Sequence, residues 1–152
     1  MFYFFLGNTP KLSLLELNAL FDNSFSLLKE GVVTTTTNLD THNFSRLGGT
    51  RKVATQLDTC APKDLIAKLT QLIIIDSAKN VAITDYANTA LTSAEIIGIK
   101  KVVQATRPIR FTSTDTGEHE LLMLAHQHVS EFNILPSSDG LVLAKTIWIY
   151  DA

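Results

Sequence analysis

Phe2-Tyr3-Phe4-Phe5-Leu6 runs straight into Gly7-Asn8-Thr9-Pro10, and Ser13 and Glu16 follow at the Ser-x-x-Glu spacing of a helix capping box. A short apolar run, a turn and a self-capped helix confine the opening of the chain to a βα unit. Leu14, Leu15, Leu17 and Leu20 are the expected inward face of that helix. Asp22-Asn23-Ser24 reads as a turn, and Phe25–Lys29 and Val32–Thr36 as two strands around Glu30-Gly31. The threonines at 34–37 favour extended backbone because they branch at Cβ. Asp40–Leu47 reads as a short helix capped by Asp40 or Thr41, with Gly48-Gly49 ending it in the left-handed conformation. Arg51–Leu57 reads as a strand. The order β-α-β-β-α-β predicts a ferredoxin-like domain over residues 1–60.

The remainder, residues 61–152, predicts a second domain ordered α-β-α-β-α-β-β. Pro62 suits the first turn of a helix reaching about Ile74. Val81–Tyr86 is a strand. Thr92 and Glu95 form a second capping box, opening a helix to about Thr106, which Pro108 bars from continuing. Ile109–Ser113 is a strand, Glu118–Phe132 a helix and Asn133–Leu135 a short strand. Ser137-Ser138-Asp139-Gly140 is a hairpin turn into the long strand Leu141–Tyr150. No flexible linker separates the halves, so the fold class expected is α+β, with two domains packed together.

Composition excludes several function classes. The chain has 152 residues with a formal net charge of −2, so any nucleic-acid surface is local. Its one cysteine, Cys60, forms no internal disulfide, which fits a cytoplasmic protein. The apolar N-terminus is too short for a signal segment, and no apolar run reaches membrane-spanning length.

The strongest chemical signal is charge. From Ile96 to Thr114 there is no acidic residue, while Lys100, Lys101, Arg107 and Arg110 all fall there. Ile96, Ile99, Val102 and Val103 share one side of the helix, and Lys100, Lys101 and Gln104 another. A basic corner where a helix ends and a strand begins suits phosphate contacts. Lysines late in a helix also simply complement its dipole. A second basic group, Arg46, Arg51 and Lys52, flanks Gly48-Gly49-Thr50, where glycine lets backbone approach a ligand or merely stops a helix. Lys145 joins these candidates from the last strand.

Catalytic signals are weak. His119, His126 and His128 share one predicted helix without a carboxylate or cysteine at ligand spacing, so no metal site is expected. Cys60 as a nucleophile would need a histidine partner. No catalytic residue is assigned. Trp148 and Tyr150 alternate with Ile147 and Ile149, suiting packing or an exposed strand edge that pairs with a protein partner.

The sequence also resembles a family. Phe2–Leu17, a strand ending in Leu6-Gly7, then a turn with Pro10, then Leu12-Ser13-Leu14-Leu15-Glu16-Leu17, resembles the N-terminus of the THUMP-containing tRNA guanosine methyltransferases. Leu47-Gly48-Gly49-Thr50-Arg51-Lys52-Val53-Ala54 is similar to their Leu-Gly-Gly-Thr-x-Lys-Ile segment. Ile99-Lys100-Lys101 with Arg107-Pro108-Ile109-Arg110-Phe111, and Ala144–Asp151, look like their helix-to-strand stretch and closing strand. The resemblance implies a ferredoxin-like domain followed by a THUMP domain. These would bind tRNA around its acceptor stem and three-prime end. It further implies a methyltransferase domain using S-adenosylmethionine and an Asp-Pro-Pro-Tyr-type motif. This chain holds no such motif and ends at Asp151-Ala152, where that domain is expected to begin. The expectation is therefore a tRNA-binding module, monomeric, with no cofactor and no catalysis of its own. The alternative is a non-catalytic protein-interaction module using the C-terminal strand edge.

Overall fold

The computed structural model describes residues 1–21, 25–36, 39–113 and 127–150. Among these the protein is mixed α/β. Its strands are β1 (Phe2–Leu6), β2 (Ser26–Lys29), β3 (Val32–Thr35), β4 (Thr50–Cys60), β5 (Val81–Asp85), β6 (Arg110–Thr112), β7 (Ser130–Ser137) and β8 (Gly140–Ile149). Its helices are α1 (Pro10–Phe21), α2 (Leu65–Asp76) and α3 (Ser93–Val103), with 3-10 turns at Thr41–Arg46 and Pro62–Asp64. The chain forms two compact units. One is Met1–Gln56 with the residues from Thr146 onward, the other Leu57–Lys145. Strands β4 and β8 each leave one unit and continue into the other.

In the first unit the strand order is β2-β3-β1-β4. β1 pairs antiparallel with both β3 and β4. Phe4, Leu6, Leu17, Val33, Phe44, Leu47 and Val53 form its core, with Trp148 packed against them. Phe44 is the hub: its ring meets Phe2, Phe4, Phe21 and Trp148 edge-on, at 5.8–6.4 Å between centroids. Such pairs add about 0.5–1.5 kcal/mol each beyond the area they bury.

Helix α1 starts earlier than its sequence suggests. Pro10 takes the first helical position, where its missing N–H costs nothing, and the Ser13 amide donates to the Thr9 carbonyl at 3.0 Å. Ser13 is thus inside the helix and does not cap it. Its buried hydroxyl lies 2.6 Å from the Gly49 carbonyl and 3.1 Å from that of Thr9. Leu17 is buried as expected, whereas Leu15 is 64% exposed. The second helical element is a 3-10 turn, begun by Asp40, whose carboxylate accepts the His42 amide at 3.0 Å.

In the second unit the order is β8-β7-β5-β6. β5 runs parallel to β6 and β7, and β7 and β8 form the expected hairpin around Ser138-Asp139. Leu65, Leu69 and Ile73 of α2 and Ile96, Ile99 and Val103 of α3 bury against Val81, Ile83, Phe132 and Ile134. The spacing of those helical residues is that of a single apolar stripe. The predicted helix Glu118–Phe132 lies mostly outside the described residues, but its last part is corrected: Ser130–Phe132 belong to β7. Phe132 and Ile134 point inward with a period of two, and each is fully buried.

Candidate nucleic-acid interface

α3 is positioned from its N-terminus. The Thr92 hydroxyl accepts the Glu95 amide at 3.2 Å, and the Glu95 carboxylate accepts the Thr92 amide at 3.0 Å. The second capping box therefore forms as its spacing predicts. At the other end Gln104 adopts φ 55 and stops the helix, so Ala105 donates back to the Lys100 carbonyl at 3.2 Å. Lys101 is exposed and Lys100 half-buried in that final turn. Val102, expected on the apolar side, is 62% exposed, and Ile96, Ile99 and Val103 carry the packing.

The loop after α3 is pinned by buried Ile109 and presents Arg107 to solvent. Arg110 opens β6, exposed, and its guanidinium donates to the Gln127 side-chain carbonyl at 2.6 Å. Thr106 donates its amide (2.8 Å) and hydroxyl (3.1 Å) to the Lys79 carbonyl. This ties the α3–β6 loop to the α2–β5 turn. Asn80 in that turn accepts the Ser130 amide at 2.9 Å and donates from its side chain to the Gln127 carbonyl at 3.4 Å. Three segments, 77–80, 104–110 and 127–130, therefore meet at the N-terminal ends of β5, β6 and β7. None of them contains Asp or Glu. Lys79 and Gln127 were not among the sequence candidates. One signal was available: Lys79 stands just before β5 as Arg107 stands just before β6.

The other candidates are differently placed. Lys145 is in the second unit, with its ammonium ion-paired to Asp76. Arg46, Arg51 and Lys52 belong to the first unit. Arg46 is exposed at the end of its 3-10 turn. Arg51 is half-buried and donates from Nε to the Leu6 carbonyl at 3.1 Å. Lys52 is 1% exposed, with its ammonium 4.5 Å from the centre of the Phe5 ring.

The Gly48-Gly49 segment is already occupied. The Glu16 carboxylate accepts the Gly48 amide at 2.7 Å and the Gly49 amide at 2.8 Å. Neither glycine adopts positive φ, so they are not a left-handed cap. A Cβ on Gly49 would come within 2.7 Å of the Ser13 hydroxyl and 3.0 Å of its Cα. The glycine is there because α1 packs directly on it.

Cys60 is half-buried, and burial first, then the Asp58 and Asp64 carboxylates, push its thiol pKa up. That is the opposite of what a nucleophile needs. His128 is exposed in the left-handed conformation, and His119 and His126 lie outside the described residues. No cluster of His, Cys, Asp or Glu among the described residues is arranged to hold a metal ion. A cavity of about 510 Å³ lies at the opposite end of β5, between Pro62, Lys63, Asn88, Thr89, Glu95 and Leu141. Two of its polar groups serve the fold: Thr89 donates its amide and hydroxyl to the Asp85 carboxylate at 2.8 and 2.6 Å, and Glu95 caps α3. No helix among the described residues is long and apolar enough to cross a membrane.

No protein-family model matches the chain, and no curated protein matches it either.

Proposed function

We propose that this chain is a tRNA-binding module that positions its RNA, around the acceptor stem and three-prime end, for an S-adenosylmethionine-dependent methyltransferase domain lying outside it. The observation that carries the reading is the acid-free run holding Lys100, Lys101, Arg107 and Arg110, whose long side chains leave a helix end and a strand start with no carboxylate among them. Phosphate contacts of that kind set register without reading sequence. The strand order β2-β3-β1-β4, with β1 antiparallel to both neighbours, supports a ferredoxin-like first unit, as the family resemblance implies. On this reading the chain needs no cofactor of its own and works in the cytoplasm, where tRNA is modified.

The test is binding of unmodified tRNA across a salt series. Affinity should fall on a log–log plot by about 0.9 per phosphate contact on duplex segments. Changing Lys100, Lys101, Arg107 and Arg110 together to Glu should abolish binding while leaving the circular dichroism spectrum intact. Undiminished binding by that variant would remove the proposed surface.

A further inference from the structure

We infer that Lys79 is a further phosphate contact and Gln127 the positioning residue for Arg110, so that the RNA backbone crosses the N-terminal ends of β7, β5 and β6 rather than lying along α3 alone. The inference rests on the RNA-binding reading and adds to it residues far from the basic run in sequence. Its warrant is the order β7-β5-β6. Lys79 stands just before the central strand of the three, Arg110 begins one neighbour, and Gln127-His128 precede the other. Adjacent strands are about 4.8 Å apart, so the three starts span about 10 Å. Lys79 and Arg110 therefore stand at the starts of neighbouring strands, near enough for one nucleic-acid backbone to pass both.

The hydrogen bonds fix these groups as one platform. Thr106 holds the Lys79 carbonyl by two donors, leaving the lysine side chain exposed. Asn80 holds the Gln127 backbone, and the Gln127 side chain holds one Arg110 nitrogen at 2.6 Å. The rest of that guanidinium fork remains to grip a phosphate. The competing role for Lys79 is to complement the dipole of α2, which ends just before it with Ser77 at φ 57.

Salt-dependent tRNA binding by single variants separates the roles. Lys79→Ala should lower the log–log salt slope by about one, as Arg107→Ala should, with an unchanged melting temperature and recovery in Lys79→Arg. Gln127→Ala should weaken binding, but not further in the Arg110→Ala background. If Lys79→Ala lowers the melting temperature and leaves slope and affinity alone while Arg107→Ala reduces both, the lysine serves the helix dipole and the inference fails. The RNA-binding reading would then survive. If Gln127→Ala weakens binding equally with and without Arg110, the positioning role is overturned. If the unaltered chain shows no salt-dependent binding to tRNA, the RNA reading itself falls and takes the platform with it.

Discussion

At Glu16 one carboxylate holds the amides of Gly48 and Gly49, while the Ser13 hydroxyl holds the Gly49 carbonyl. Hydrogen bonds to a charged group contribute about 1.5–3 kcal/mol each where water is largely excluded. Glu16 is only half-buried, so the pair should contribute toward the lower end. Glu16→Ala is expected to lower stability by about 2–3 kcal/mol, read as a shift in the urea midpoint with an unchanged slope. Gly49→Ala should cost about 1–3 kcal/mol, because its Cβ meets the Ser13 backbone as well as a movable hydroxyl. A midpoint that does not move in either variant would show that the contact is dispensable. Both residues were visible in the sequence, but with the wrong partners. Ser13-x-x-Glu16 and Thr92-x-x-Glu95 have the same spacing, yet only the second closes on itself. Pro10 explains the difference: it starts α1 three residues early, leaving Ser13 and Glu16 on the helix face, where they meet a loop distant in sequence. Local spacing carries no information about that loop.

Among the elements, α3 was the most legible. Its capping box and basic last turn follow from spacing and charge, and its buried stripe follows from periodicity except at Val102, which is exposed, while the helix ends at Val103 rather than near Thr106. Thr92→Ala should destabilise the protein by about 1 kcal/mol, measured by thermal or denaturant unfolding. Because the basic residues sit at the other end of the helix, the same variant should bind tRNA with unchanged affinity below the unfolding transition. A loss of binding there would mean that the cap does more than start the helix. The β5–β6–β7 end was only half legible. Arg107 and Arg110 stand out in sequence, but Lys79 reaches them through Thr106, and Gln127 through a side-chain bond to Arg110. Loop-to-loop bonds of this kind leave no periodic trace. The start of β7 was misread because the spacing of apolar residues up to Val129 is helical. The switch to a period of two from Ser130 onward, just after the left-handed His128, is short enough to pass as a continuation.

At the level of the whole molecule, the path of the chain matters more than any one contact. The first unit takes Trp148 from the far end of the sequence and places it 6.4 Å from the Phe44 ring. It also uses the Tyr150 amide, which donates to the Arg51 carbonyl at 2.9 Å. Trp148→Ala is expected to cost about 3–5 kcal/mol if that site were fully buried, and less here because Trp148 is half-buried. As the only tryptophan, Trp148 makes intrinsic fluorescence a reporter on the first unit. A chain ended after Lys145 should lose the tertiary signal of that unit's phenylalanine cluster in near-ultraviolet circular dichroism. If the cluster kept its signal, Trp148 would be incidental to it. The return of β8 to the first unit also bears on synthesis. A ribosome delivers Phe44 long before Trp148, with residues 57–145 made in between. The usual order, in which the N-terminal part settles first, cannot run to completion here. The nascent first unit must wait, one strand short and with the Phe44 ring unclosed, until synthesis has passed residues 57–145 and brings its own tryptophan back.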